Sequence, residues 1–350
     1  MSDSLLPSGF EQREPIGKPV LDTLRSATTN GVPAEALPVY ARWWQIETWL
    51  RTLVRIELCA AKGSDWAGKE AKKALERELR DDYMASPDSE DYLSQLTTGE
   101  LLHIIDDSYE LFEPSLFRNR EKWQPRAREA NAIRRRVAHC RRPHSDDLAR
   151  LEQLLRDLEP GARRAVNAYN DTRAPDENLN DQVVRDWIKL ERSDAKRLVP
   201  HGWDNKGIGF RLEYSIRPWA RWPRSGARIS GRAGAIWYMS VSLRERYLPI
   251  EEYWMDDYVQ RVADQVIHIL SFDPYQLRVT IPAKNPAAKV SDAIRWLFEA
   301  VFSASLSGRA DRKTFEAHRR WAARLDPRVL VDHMLVTVDS TAPPLRLFDA

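Results

Sequence analysis

The chain has 350 residues, 43% of them hydrophobic, and its 54 basic side chains nearly balance 52 acidic ones, for a formal net charge of +2. That is enough apolar material for two domains of ordinary size and too much for a disordered chain. The near-balance excludes a molecule-wide polycation, so any nucleic-acid surface must come from local imbalance. Two cysteines, Cys59 and Cys140, exclude a disulfide framework and a Cys-rich zinc site and fit a reducing compartment. No apolar run approaches the roughly eighteen residues needed to cross a bilayer. The N-terminus lacks the basic and apolar regions of a secretory signal, so a cytoplasmic protein with no membrane partner is expected.

Residues 1–37 are rich in Pro, Gly, Ser and Thr and read as an extended arm that docks on a partner. The first helix begins near Tyr40, with Trp43, Ile46, Leu50, Leu53 and Val54 on one face and Gly63 as its stop. A charged helix over 66–83 follows. Thr97 and Glu100 form a capping box for a helix carrying Leu101, Ile104, Ile105, Tyr109 and Leu111. A basic helix spans 121–139. Pro143 breaks the chain, Ser145 caps the next helix, and its stripe of Leu148, Leu151, Leu155 and Leu158 ends near Pro160. Residues 38–167 thus read as an all-α bundle, and 168–182, without apolar periodicity, as a linker.

Beyond the linker the period changes. Phe210, Leu212, Tyr214 and Ile216 alternate with Arg211, Glu213, Ser215 and Arg217, and 275–281 alternates likewise, as in strands with one wet face. Strands are also expected at 236–243 and 329–338, with helices near 250–270, 289–305 and 312–325. The predicted fold class is therefore multidomain: a helical bundle, then an α+β domain over 183–350 with a mainly antiparallel sheet and helices on one face.

The charge is concentrated at 118–142, where ten Arg and Lys face two Glu, a local balance of 10 − 2 = +8. Arginine in such density suits phosphate, because a guanidinium grips two oxygens at once. Arg126, Arg128, Arg135, Arg136, Arg141 and Arg142 are the expected RNA-binding set. Arg134 and His139 are the candidate catalytic pair. The imidazole can move a proton near neutrality, and the guanidinium stays charged to stabilise a phosphorane-like transition state without any metal or cofactor. One histidine does not easily serve as acid and base in one step, which points to a homodimer with two copies of the motif. Glu47 and Glu57 both lie near the apolar stripe of the first helix. Glu47 needs a partner, for which Arg134 or Arg135 is the candidate, whereas Glu57 is expected to reach water at the stripe's edge.

The segment IRRRVAH at 133–139 resembles the R-x(4–6)-H motif of the HEPN superfamily (higher eukaryotes and prokaryotes nucleotide-binding). The likeness extends to WWQIETWLRTLVR in the first helix, to ELFEP at 110–114 and to the PHSDDL after the motif, and it covers about 38–165. It is nearest the abortive-infection and toxin-like bacterial branches. The resemblance implies a dimerising helical bundle with a composite ribonuclease site, in which Arg134 and His139 match the paired motif residues and Glu47 the acidic residue of the first helix. Arg135 stands where that family carries Asn, Asp or His. The function so implied is a metal-independent endoribonuclease cleaving through the ribose 2′-hydroxyl, a defence or toxin effector with RNA as substrate and an antitoxin or defence protein as further partner. Two alternatives stay open: a non-catalytic scaffold of the same fold that binds RNA or protein, and a C-terminal ligand sensor whose helical domain only dimerises.

Other features carry less. His139 and His144 with Asp146 and Asp147 match no metal-ligand spacing, and GIGF at 207–210 is no nucleotide fingerprint. Trp219 and Trp222 lie among Arg217, Arg221, Arg224 and Arg228, but tryptophan is more often core or interface than a base-stacking platform.

Overall fold

A computed structural model of the chain describes residues 18–29, 31–67, 76, 92–224 and 226–330. These divide into two compact units that do not follow chain order. Among the described residues, one takes in those up to Leu53 and from Thr97 to Ala165; the other takes in those from Val54 to Leu96 and from Val166.

The first unit is helical. Helix α1, Lys18–Thr29, lies where an extended arm was expected. Helix α2, Ala36–Lys62, buries Val39, Trp43, Ile46, Leu50 and Leu53 at the spacing of one face. The capping box opens α3, Thr98–Asp107: the Thr97 hydroxyl accepts from the Glu100 N–H, and the Glu100 carboxylate accepts from the Thr97 N–H at 2.8 Å. A single turn, α4, Tyr109–Phe112, follows. Asn119 caps the basic helix α5, Arg120–Ala138, which buries Trp123, Ala127, Ala130 and Ile133. Helix α6, Asp147–Asn170, does not end at Pro160, as the sequence suggested, but runs ten residues further. Its buried stripe explains why: Leu151, Leu155 and Leu158 are continued by Ala162, Ala165, Val166 and Tyr169. The proline removes one backbone hydrogen bond, and burial on the continuing stripe outweighs that loss.

The second unit is α+β, with a mixed sheet of five strands among the described residues. Strands β1 (Ile208–Ile216), β2 (Ala235–Leu243), β4 (His268–Asp273), β5 (Gln276–Pro282) and β7 (Val329–Leu330) lie in the order β1-β2-β5-β4-β7. Neighbours are antiparallel except β4 and β7. A two-residue pair, β3 (Arg246–Tyr247) and β6 (Leu306–Ser307), stands apart. Both faces of the sheet are covered, not one. On β2, Ala235, Trp237, Met239, Val241 and Leu243 enter a core with helices Gln182–Trp187, Ser193–His201 and Ala287–Ala304. The alternate residues Ile236 and Tyr238 meet Ile56, Cys59 and Ala60 of α2 and Tyr169 of α6.

Several expectations change here. The helix expected near 250–270 is two short helices, Ile250–Met255 and Asp257–Gln260, and the residues from His268 form β4. The stretch Val266–Leu270, four apolar residues around His268, is too short for its period to tell helix from strand. The expected linker is ordered: Tyr169 and Asp181 are buried, and the Arg173 backbone pairs with Tyr214 on β1. The supposed wet face of β1 is dry at its end, where Ser215 and Arg217 are buried. Most of the 66–83 helix and all but the start of the 329–338 strand lie outside the described residues.

Candidate nucleic-acid interface

The basic helix stops in a Schellman arrangement. His139 is its C-cap and Cys140 takes a left-handed φ of 53°. The Cys140 N–H donates to the Val137 carbonyl at 3.0 Å, and the Arg141 N–H reaches back to the Arg136 carbonyl at 2.8 Å. This turn leaves His139 exposed at the helix end and sends Arg141 and Arg142, also exposed, off its axis.

A fork holds the loop behind the stop. The Arg136 guanidinium donates to both oxygens of Asp147, the first residue of α6, with Nε to Oδ2 at 2.8 Å, and Asp147 also accepts from the His144 N–H at 2.9 Å. Burial pushes the Asp147 carboxyl up, but the Arg136 guanidinium and the His144 amide outweigh it and hold the group below the usual carboxylate range. Arg136 is thereby committed to structure.

The remaining cations sort into two classes. Arg126 is neutralised by Glu129 and by Asp157 at 3.1 Å, and Arg150 by Glu129. Arg128 donates to the Gln124 carbonyl of its own helix. Among the described residues, Arg134, Arg135, Arg141 and Arg142 have no carboxylate within ion-pair distance. Arg134 is half-buried, about 40° around the helix from buried Ala130, and Arg135 is exposed. Unpaired positive charge thus gathers at the helix end that bears His139. A shape of this kind can grip phosphate oxygens and move one proton per copy.

Glu47 sits elsewhere in the same unit. Its carboxylate accepts from Trp43 Nε1, from the Thr98 hydroxyl at 2.8 Å and from Arg51 one turn on. The expected pairing with Arg134 or Arg135 is not formed within one chain. Trp43 is buried, and its neighbours Tyr40 and Trp44 are 51% and 59% exposed.

Glu57 is a correction. It is wholly buried in the second unit and accepts a fork from Arg217, Nε at 3.0 Å and Nη2 at 2.6 Å, together with the Trp219 indole N–H at 2.7 Å. Burial alone pulls the Arg217 guanidinium down, and the Glu57 carboxylate more than offsets it. The sequence signal was the place of Glu57 near an apolar stripe, but its partner lies 160 residues away. Beside it, the Tyr169 hydroxyl donates to Thr280 Oγ1 at 2.8 Å and meets His268 Nδ1 at 3.0 Å, and the Tyr238 hydroxyl donates to the Tyr169 carbonyl at 2.6 Å. Burial pushes both phenols up, so they remain protonated hydrogen-bonding struts.

No protein-family model, no curated protein and no solved structure matches the chain.

Proposed function

We propose that the chain is a metal-independent endoribonuclease of HEPN type, acting as a homodimer in bacterial anti-phage defence or as a toxin effector. The observation that supports it is one helix end that presents an exposed imidazole and four arginines without carboxylate partners among the described residues. His139 of one copy takes the proton of a ribose 2′-hydroxyl. The 2′-oxygen bonds to phosphorus, the bond from phosphorus to the 5′-oxygen breaks, and His139 of the second copy protonates the leaving oxygen. Arg134 stabilises the charge gathering on the non-bridging oxygens. Arg135, Arg141 and Arg142 hold the flanking strand. Glu47, tied to α3 through Thr98, fixes the first helix.

The purified protein is expected to cleave RNA in the presence of EDTA, leaving 2′,3′-cyclic phosphate or 3′-phosphate and 5′-hydroxyl ends. His139→Ala should abolish cleavage with little change in melting temperature. Cleavage undiminished in that variant would remove His139 from the mechanism, and sedimentation of a strict monomer that still cleaves would defeat the composite site. A stable dimer that binds RNA but cuts none would favour a scaffold of the same fold. Arg135 is the feature that favours that reading, because it offers no acceptor where the family carries one.

A further inference from the structure

The opposite end of helix α5 holds a second group of cations, and they face a cleft. A depression of about 430 Å³ is lined by Phe117, Arg118, Lys122, Pro160, Gly161 and Arg164, among others. That volume lies in the range of small-ligand sites. Its floor is a close approach of α6 to the turn before α5: a Cβ on Gly161 would stand 2.5 Å from the Leu116 carbonyl oxygen and nearer still to that of Ser115. Arg164 is oriented by a hydrogen bond from Nε to the Pro114 carbonyl at 2.8 Å. This bond satisfies one of its five donors and none of its charge.

Nothing among the described residues neutralises the cluster. Arg118, Lys122 and Arg164 have no carboxylate within ion-pair distance. The one acid in the wall, Asp157, is already committed to Arg126 at 3.1 Å and to the Gln153 amide at 2.7 Å. Burial pulls the Arg164 pKa down and the like charge of Arg118 pulls it further, so the two guanidiniums are near enough to repel. The start of α5, a helix of 19 residues, adds its positive end to the same place.

We propose that this cleft binds the phosphate group of a nucleotide or of a nucleic-acid strand. Arg118 and Arg164 grip its oxygens through their forked donors and Lys122 adds a point charge. The assignment does not rest on the Arg134–His139 reading, since Lys122 and Arg134 lie twelve residues, about 18 Å, apart along the helix.

The test is calorimetric titration of the full-length protein, carrying His139→Ala so that RNA survives, with pyrophosphate, ADP and a short single-stranded RNA. Binding should weaken as salt rises. Arg118→Gln with Lys122→Gln should weaken it at least about tenfold, as loss of charge-assisted bonds to phosphate implies. The melting temperature should hold, and Arg211→Gln on β1 should bind like the parent. Arg164→Gln should act as the double variant does; its melting temperature is checked separately because it also holds Pro114. Loss of pyrophosphate and ADP binding supports a free nucleotide as ligand. Loss of RNA binding alone, with pyrophosphate and ADP never bound, supports a strand phosphate. The proposal is overturned if the parent binds none of the three at low salt, or if the double variant binds as the parent does.

Discussion

Cys140 occupies a backbone position that glycine usually fills. A left-handed conformation costs a residue with a Cβ roughly 1–2 kcal/mol, so Cys140→Gly should stabilise the protein by about 1 kcal/mol in urea denaturation. The two thiols should also differ chemically. Cys140 is exposed, whereas burial pushes the Cys59 thiol up to about 12, and the thiolate is the nucleophile. Iodoacetamide should therefore label one cysteine in the native protein and two after unfolding. If His139 is the proton carrier, the adduct on Cys140 beside it should suppress RNA cleavage in the wild type and not in Cys140→Gly. Asp147 gives a pH dependence with a definite sign. Its folded pKa lies below the unfolded value of about 3.9, so its stabilisation is complete above that value and is lost as pH falls below it. Acid unfolding of Asp147→Asn should show a shallower loss below about pH 4 than the wild type. At this scale the sequence was informative about cations and poor about pairing. The excess of ten over two was visible, but which arginines were already neutralised was not. The carboxylates of Asp147 and Asp157 reach Arg136 and Arg126 from another helix.

At the level of elements, periodicity carried most of what could be read. The apolar face of α2, the Thr97–Glu100 capping box and the strands β1, β2 and β5 stand where the pattern placed them. Errors arose where a local rule met a tertiary opponent. Pro160 marks a helix end by its own chemistry, yet Ala162, Ala165, Val166 and Tyr169 extend the buried stripe beyond it. Gly161, next to that proline, looked like part of the stop and is instead the point of closest approach to the Ser115 and Leu116 carbonyls. Gly161→Ala, otherwise favourable in a helix interior, should therefore destabilise by about 1–3 kcal/mol, the usual cost of overpacking. A midpoint in urea equal to or above that of the wild type would show that the crossing can widen. The cleft with Arg118 and Arg164 was not legible, because its walls are 40 residues apart in the chain and neither contains a motif.

For the molecule as a whole, the change of period along the chain foretold a helical part and an α+β part, but not that the sheet would be covered on both faces. The second cover comes from α2, which lies more than 140 residues before the first strand. Its anchor is the buried Glu57–Arg217 pair. Removing one partner of such a pair typically costs about 3–5 kcal/mol, since the other charge is left buried without compensation. Glu57→Gln should show a loss of that order in thermal or urea unfolding, and Glu57→Met with Arg217→Met should recover much of it. The same pair bears on how the gene can be cut. A fragment begun at residue 183 would have every described strand yet lack Glu57, Cys59, Ala60 and Tyr169, leaving Arg217 without the Glu57 carboxylate and Ile236 and Tyr238 without these neighbours. It should be recovered insoluble. Adding residues 36–67 as a separate peptide is the rescue to attempt, and a reporter of unaided solubility should report the difference.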